Sequence, residues 1–169
     1  MDALLPAVDA AAGWTEFAVA AAGATAALAG LTIVTISVNV RQILAFPPLV
    51  PRSAITIAGF VVGLLSSLAL LLPQAMFAAG IEVLVVTAVA LLIEVRAARA
   101  DLRQQPRRPA AENLSHAALA ALWIVPFAVA GALMTAGVAA GLFVLAAAIG
   151  AAIVASIFNT WVLLIEILR

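Results

Sequence analysis

The chain lacks cysteine, tyrosine and lysine, and His116 is its single histidine. Disulfide bonds, thiolate metal sites and nucleophilic cysteines are therefore excluded. A Schiff base with retinal or pyridoxal requires a lysine, so that chemistry is excluded as well. One histidine cannot ligate a haem iron on both faces. The sequence predicts no cofactor and no bound metal.

Charged side chains are scarce as well. Only 9% of the 169 residues are charged, whereas 67% are hydrophobic. A soluble domain is roughly one quarter charged and half apolar. Several apolar runs exceed the roughly 18 residues that are typical of a membrane span. The composition predicts a protein that crosses the bilayer several times and has no separate soluble domain.

Five apolar segments, each of about 20 residues or more, can cross a hydrocarbon core of about 30 Å. The predicted fold is a single all-α bundle of five transmembrane helices. These helices lie near residues 17–40, 53–73, 76–95, 116–136 and 141–166. Prolines mark the breaks "FPPLVP" (46–51), "LPQ" (72–74) and "RQQPRRP" (103–109), since proline cannot continue a helix interior. The N-terminus has no positive charge, which indicates a retained first span and not a cleaved signal peptide.

All eight positive charges are arginines, and they fall in three segments. Arg41 and Arg52 flank the first loop, five arginines lie in the predicted loop 96–115, and Arg169 ends the chain. Five spans place these segments on one side of the membrane. The positive-inside rule then puts the N-terminus outside, and the C-terminus and the arginine-rich loop in the cytoplasm.

The arginine-rich loop has two possible contacts besides its effect on orientation. Arginines at a cytoplasmic surface attract anionic lipid headgroups, and they can also dock a cytoplasmic protein. The loop is short, broken by prolines and free of aromatic residues, so a nucleic-acid partner is not expected. The predicted partners are the lipid bilayer, a second copy of the chain in a homo-oligomer, and another membrane protein.

One face of the first span carries regularly spaced polar side chains. They lie in and just before "ALAGLTIVTISVNVRQ" (27–42), at Thr25, Thr32, Thr35 and Asn39. Spacings of three and four residues place them on one helix face. Lipid cannot satisfy an amide, so this face is expected to turn towards protein or water. Hydrogen bonds between helices and a water-lined path, within one subunit or around an oligomer axis, both remain open.

Small residues in two other spans predict close helix packing. Gly59 and Gly63 in "GFVVG" have the G-x-x-x-G spacing that lets two backbones approach in lipid. The fifth span adds a second stripe of small residues, Ala147, Ala151 and Ala155.

Glu82 is predicted to lie inside the membrane. Twelve residues separate it from Glu94, which is about 18 Å of helix and less than the core thickness. Glu94 is close to Arg96 and belongs at the cytoplasmic boundary, so Glu82 lies about 10 Å below the outer surface. Thr25 and Ser67 are expected at a similar depth. An ionisable group there indicates function, or else a protonated, hydrogen-bonded structural carboxyl.

A second set of polar residues is predicted at the cytoplasmic end of the bundle. This set comprises Arg41, Glu94, His116, Asn159 and Glu166. Charged residues of both signs at helix ends predict interfacial ion pairs that hold those ends together.

Two segments resemble known proteins. "AGLTIVTISVNVRQIL" (29–44) and "FNTWVLLIEILR" (158–169) are similar to a mostly uncharacterised group of small multispan membrane proteins of high-GC Gram-positive bacteria. Some members are labelled modulators of a membrane-bound AAA+ metalloprotease. The resemblance implies a bacterial plasma membrane protein, and it assigns no site residues.

Three functional hypotheses follow. The first is a small homo-oligomeric channel for cations or protons that uses the polar face of the first span and Glu82. The alternative is a non-catalytic regulatory or scaffold subunit, for example a membrane-protease modulator. A binder of lipid or a hydrophobic ligand is the third. The chain has no H-E-x-x-H, G-x-S-x-G or Walker motif, so an enzyme is not expected.

Overall fold

A computed structural model describes residues 13–45, 49–104 and 110–168 of the chain. It describes the side chains of 13–45, 50, 53–99, 121–162, 164 and 165. The order of helices is α1 (Thr15–Val38), α2 (Val40–Ala45), α3 (Leu49–Leu71), α4 (Met76–Gln104), α5 (Ala110–Thr135) and α6 (Ala140–Leu168). The prediction of an all-helical protein is confirmed, and the described ranges contain no strand.

Four helical segments are long and apolar enough to cross a membrane. They are Thr15–Val38, Ser53–Leu71, Met76–Arg99 and Ala140–Val162. In α5 the apolar stretch among the described side chains is shorter, Ala121–Thr135. The structure therefore has the helices of a multi-pass membrane protein.

The helices α4 and α5 extend into the segment that the sequence predicts as an arginine-rich loop. Instead of a loop over 96–115, α4 continues to Gln104 and α5 begins at Ala110. The segment "RAARADLRQ" (96–104) consists mostly of good helix formers and contains neither glycine nor proline. The arginines at 96, 99 and 103 are therefore helical residues.

The other helix boundaries shift by a few residues. α1 ends at Val38 and Asn39 forms a turn before the short α2, so the first predicted span is divided. α3 begins at Leu49 and takes Pro51 into its first turn, where a missing N–H removes no intrahelical hydrogen bond. The predicted hairpin at 72–74 is a short bend between α3 and α4.

The helices α3, α4, α5 and α6 form a four-helix bundle in which each helix packs on the next and α6 packs back on α3. Its interior contains the largest fully buried side chains, among them Phe60, Phe127, Met134, Leu142 and Leu145. α1 lies outside this bundle, mainly against α3 and with a smaller contact to α6.

α1 and α6, the first and last helices, run parallel. Near their N-terminal ends the Trp14 ring packs edge-to-face on the Phe143 ring, with centroids 4.8 Å apart. Near their C-terminal ends Thr32 Oγ1 lies 3.4 Å from Thr160 Oγ1. The two helices are therefore parallel, because their N-terminal ends contact each other and their C-terminal ends contact each other.

Candidate functional site

Three hydroxyl groups on α1, those of Thr25, Thr35 and Ser37, are hydrogen-bonded within their own helix. Thr25 is fully buried, and its Oγ1 donates to the carbonyl of Ala21 at 2.7 Å. Thr35 Oγ1 donates in the same way to Leu31 at 2.9 Å. Such back-bonding satisfies a hydroxyl without water or a neighbouring helix. The polarity of this face is therefore largely neutralised inside α1.

Asn39 has a local role at the end of α1. Its backbone N–H and its Nδ2 both donate to the carbonyl of Thr35, at 3.3 Å and 2.9 Å. Its own carbonyl accepts from the Ile43 N–H at 3.0 Å, which starts α2. The amide thus joins two helical segments at a break in α1.

Thr32 makes a hydroxyl contact between α1 and α6. Its Oγ1 lies 3.4 Å from Thr160 Oγ1 in α6, and the Thr160 hydroxyl donates to the Ser156 carbonyl at 2.8 Å. Ser156 also faces α3, because a methyl group placed at Gly59 would lie 2.6 Å from Ser156 Oγ. Thr32, Ser156 and Gly59 therefore mark the place where α1, α3 and α6 meet.

Gly63 is the second meeting point of the same three helices. A methyl group there would lie 3.1 Å from Thr25 Cγ2 of α1 and 3.9 Å from Ile149 Cγ2 of α6. The hydroxyl of Ser67, also fully buried, donates to the Gly63 carbonyl at 2.8 Å. The structure thus brings Thr25 and Ser67 together around Gly63.

Glu82 of α4 is hydrogen-bonded to the turn between α3 and α4. Its Oε2 accepts a hydrogen bond from Gln74 Nε2 at 3.0 Å, and the same Nε2 lies 3.0 Å from the Ala69 carbonyl. Among the described residues, Glu82 is therefore hydrogen-bonded to Gln74 and not to a residue of α1. Glu82 is half-buried as a residue.

The predicted cytoplasmic polar set is only partly described. Arg41 is exposed, and Glu94 and Asn159 are half-buried. The Trp123 indole donates a hydrogen bond to the Glu94 carboxylate, which ties α4 to α5. The side chains of His116 and Glu166 lie outside the described residues. Among the described side chains the partner of Glu94 is thus an indole, and the ion pairs expected within this polar set stay a prediction.

Two of the tightest helix contacts were not identified from the sequence. A methyl group at Gly80 in α4 would lie 2.6 Å from the Thr135 backbone N and 2.9 Å from the Gly131 carbonyl oxygen in α5. At Gly141 in α6, a methyl group would lie 2.8 Å from the Met134 backbone N. The sequence could have indicated these contacts, because an isolated glycine lowers helix propensity and is usually present in a helix where close packing requires it.

The small residues of α6 face outwards. Ala147, Ala151 and Ala155 are exposed, so this stripe does not pack inside the bundle. Gly150 is on the same side and has no atom of another helix within 4 Å of a methyl group placed there. In α1, Gly23 and Gly30 are equally exposed and open.

Ser66 is an exception to the local satisfaction of hydroxyls. It is fully buried in α3, and its Oγ has no hydrogen-bond partner within the described part of the chain. A buried hydroxyl without a partner costs about 1–3 kcal/mol.

The described side chains offer hydrogen bonding and close packing. No group of three His, Cys, Asp or Glu in that part of the chain could hold a metal ion. The two carboxylates of α4, Glu82 and Glu94, are tied to different partners at opposite ends of about 18 Å of helix. Comparison with known proteins finds no match to a family model, a curated protein or a solved structure.

Proposed function

We propose that the chain is a five-span protein of the bacterial plasma membrane with its N-terminus outside, acting as a non-catalytic scaffold subunit. α5 is counted as the fifth span because its 26 residues measure about 39 Å. The arginine distribution supports the orientation. The resemblance of 29–44 and 158–169 to membrane-protease modulators is consistent with a role of this kind.

A contrast between two sets of glycines carries the proposal. Five helical glycines lie against another helix, and a methyl group at any of them would meet an atom of that helix at 3.1 Å or less: Gly59, Gly63, Gly80, Gly131 and Gly141. Three further helical glycines are open and face outwards: Gly23, Gly30 and Gly150. Small residues let helices associate closely in lipid. The open glycines thus leave α1 and α6 with contact faces that the bundle does not use.

We assign these outward faces to a second copy of the chain. α1 and α6 are parallel, and Thr25 and Ile149 both contact Gly63, so Gly23 and Gly150 lie at a similar depth. A two-fold axis along the membrane normal would bring identical faces of two copies together, which needs no further component. The chain is then a homo-oligomer with helical, uncharged contact surfaces.

Cysteine cross-linking tests the proposed association, because the natural chain has no cysteine. Single cysteines are placed at Ala20, Gly23, Ala27 and Gly30 of α1 and at Ala147 and Ala151 of α6. Val85 and Val89 of α4, which are exposed apolar residues outside these faces, are the matched controls. We expect oxidation in native membranes to give covalent dimers in at least one series. Cross-linking at the level of the α4 controls in both series would contradict the proposal.

A second candidate function is the passage of cations or protons. The half-buried Glu82, hydrogen-bonded to Gln74 within an apolar helical hairpin, is the observation that favours it. Glu82→Gln removes the ionisable group and keeps the size of the side chain. The channel requires ion flux in liposomes that falls strongly in Glu82→Gln and is unchanged in Glu16→Gln, an exposed carboxyl at the start of α1. Absence of flux in the natural protein between pH 5 and 8, at both field polarities, would reject the channel.

A further inference from the structure

The end of α4 places two arginines at the depth of lipid headgroups. Met76 begins α4, and Arg96 lies 20 residues further along the same helix, which is about 30 Å at 1.5 Å per residue. This distance equals the thickness of the hydrocarbon core. Arg99 lies about 4.5 Å beyond Arg96, within the headgroup layer of the same leaflet.

Arg96 and Arg99 share one side of the helix and are both exposed. Residues three positions apart are neighbours on a helix surface, and neither side chain is covered by another part of the bundle. The carboxylate nearest to them in sequence, Glu94, accepts a hydrogen bond from Trp123 of α5. Among the described side chains, no carboxylate forms an ion pair with either arginine. Two adjacent guanidinium groups are therefore exposed together at this end of α4.

We infer that Arg96 and Arg99 form a binding site for the phosphate group of an anionic phospholipid in the inner leaflet. A guanidinium group presents paired N–H donors that match phosphate oxygens. The occupant is a lipid and not a soluble phosphate, because the site lies at the membrane boundary of a helix whose preceding 20 residues are apolar enough to span the core. The inference rests on the membrane embedding and orientation proposed above, and it does not depend on self-association.

Native mass spectrometry of the detergent-solubilised protein tests the site directly. The protein is incubated with equal amounts of phosphatidylglycerol and phosphatidylcholine, and the ratio of the two retained lipids is measured. We expect a preference for phosphatidylglycerol that falls about fivefold for each guanidinium lost and roughly 25-fold in Arg96→Gln/Arg99→Gln. Arg96→Lys/Arg99→Lys keeps the charge and should retain part of the preference.

Arg41→Gln is the matched control, because Arg41 is exposed and belongs to α2, a different helix. The preference should be nearly unchanged in this variant. If Arg41→Gln lowers the phosphatidylglycerol preference as much as Arg96→Gln or Arg99→Gln does, the preference reflects net charge and not a site. That result would overturn the inference. Equal thermal protection by inorganic phosphate and by phosphatidylglycerol would overturn the lipid assignment.

Failure of this inference can be distinguished from failure of the proposed function. If the double glutamine variant keeps its lipid preference but all variants cross-link through α1 or α6, only the lipid site is wrong. If the lipid preference falls as expected and no cross-links form, only the self-association is wrong.

Discussion

Gly80 of α4 and Gly131 of α5 bring two helix backbones into direct contact. A methyl group at Gly80 would lie 2.9 Å from the Gly131 carbonyl oxygen, and one at Gly131 would lie 3.1 Å from the Gly80 carbonyl oxygen. Each glycine thus occupies the space that a side chain on the other would need. In lipid there is no hydrophobic driving force between apolar helices. Close packing of the two backbones is therefore a principal source of helix association.

Gly80→Ala should therefore destabilise the bundle. The added methyl meets backbone atoms of Thr135 and Gly131, so the two helices must separate. We expect a loss of about 1–3 kcal/mol, the usual cost of overpacking, measured as a lower midpoint of thermal unfolding in detergent. Gly13→Ala is the control, because that position is open, exposed and outside the proposed contact faces, and it should leave the midpoint unchanged or raise it slightly. Equal midpoints for Gly80→Ala and the natural protein would show that α4 and α5 are not in contact there.

A double-mutant cycle should detect the contact between α1 and α3. The methyl of Gly63→Ala would lie 3.1 Å from Thr25 Cγ2, and Thr25→Ser removes that carbon but keeps the hydroxyl bonded to Ala21. We expect Gly63→Ala to be less destabilising in the Thr25→Ser background, with a coupling free energy of about 0.5–1 kcal/mol. Additive effects of the two substitutions would mean that the side chains do not touch.

Gln74 should matter more for stability than its half-buried position near a turn suggests. Its amide serves both the Ala69 carbonyl and the Glu82 carboxylate, and Gln74→Leu leaves both acceptors without this donor. The expected loss of stability is about 1–3 kcal/mol, read from thermal unfolding. Gln42→Leu, at an exposed glutamine of α2, should have little effect. If Gln74→Leu lowers stability less in the Glu82→Gln background, part of its destabilising effect comes from the lost hydrogen bond to the Glu82 carboxylate.

Thiol labelling of intact cells should establish the orientation. Single cysteines at Ala7 and Gln105 are exposed to a membrane-impermeant thiol reagent, before and after permeabilisation. With the N-terminus outside, Ala7→Cys reacts in intact cells and Gln105→Cys reacts only after permeabilisation. The reverse pattern would require an inverted topology and would move the arginines to the outer side.

Much of the helical architecture could be predicted from the sequence, since long apolar segments separated by prolines leave few alternatives. The number of residues in each segment and the turn at 72–74 agree with the structure to within a few positions for most helices. The continuation of α4 past Arg96 was missed, because a cluster of arginines suggested a loop while the helix propensity of Ala, Leu and Arg favoured a helix.

The candidate site was less predictable, for a physical reason. Spacing shows which residues share a helix face but does not show which face turns inwards, so the sequence did not distinguish packing of Ala147 and Ala151 inside the bundle from their observed position on its outer face. The partner of Glu82 depends on how a short turn folds Gln74 back along α4. The hydroxyls of α1 could bond to their own helix or to another, and spacing alone does not distinguish these arrangements.

The contact between Thr32 and Thr160 joins positions 128 residues apart, and this separation constrains the order of assembly. Synthesis proceeds at about 5–20 residues per second, so α1 waits roughly 6–25 s in the bilayer before α6 reaches it. During that interval the hydroxyls of Thr25 and Thr35 are already bonded to carbonyls of α1 itself. The internal bonding of α1 therefore lets this helix reside in lipid alone, as a stable precursor that the last helix completes.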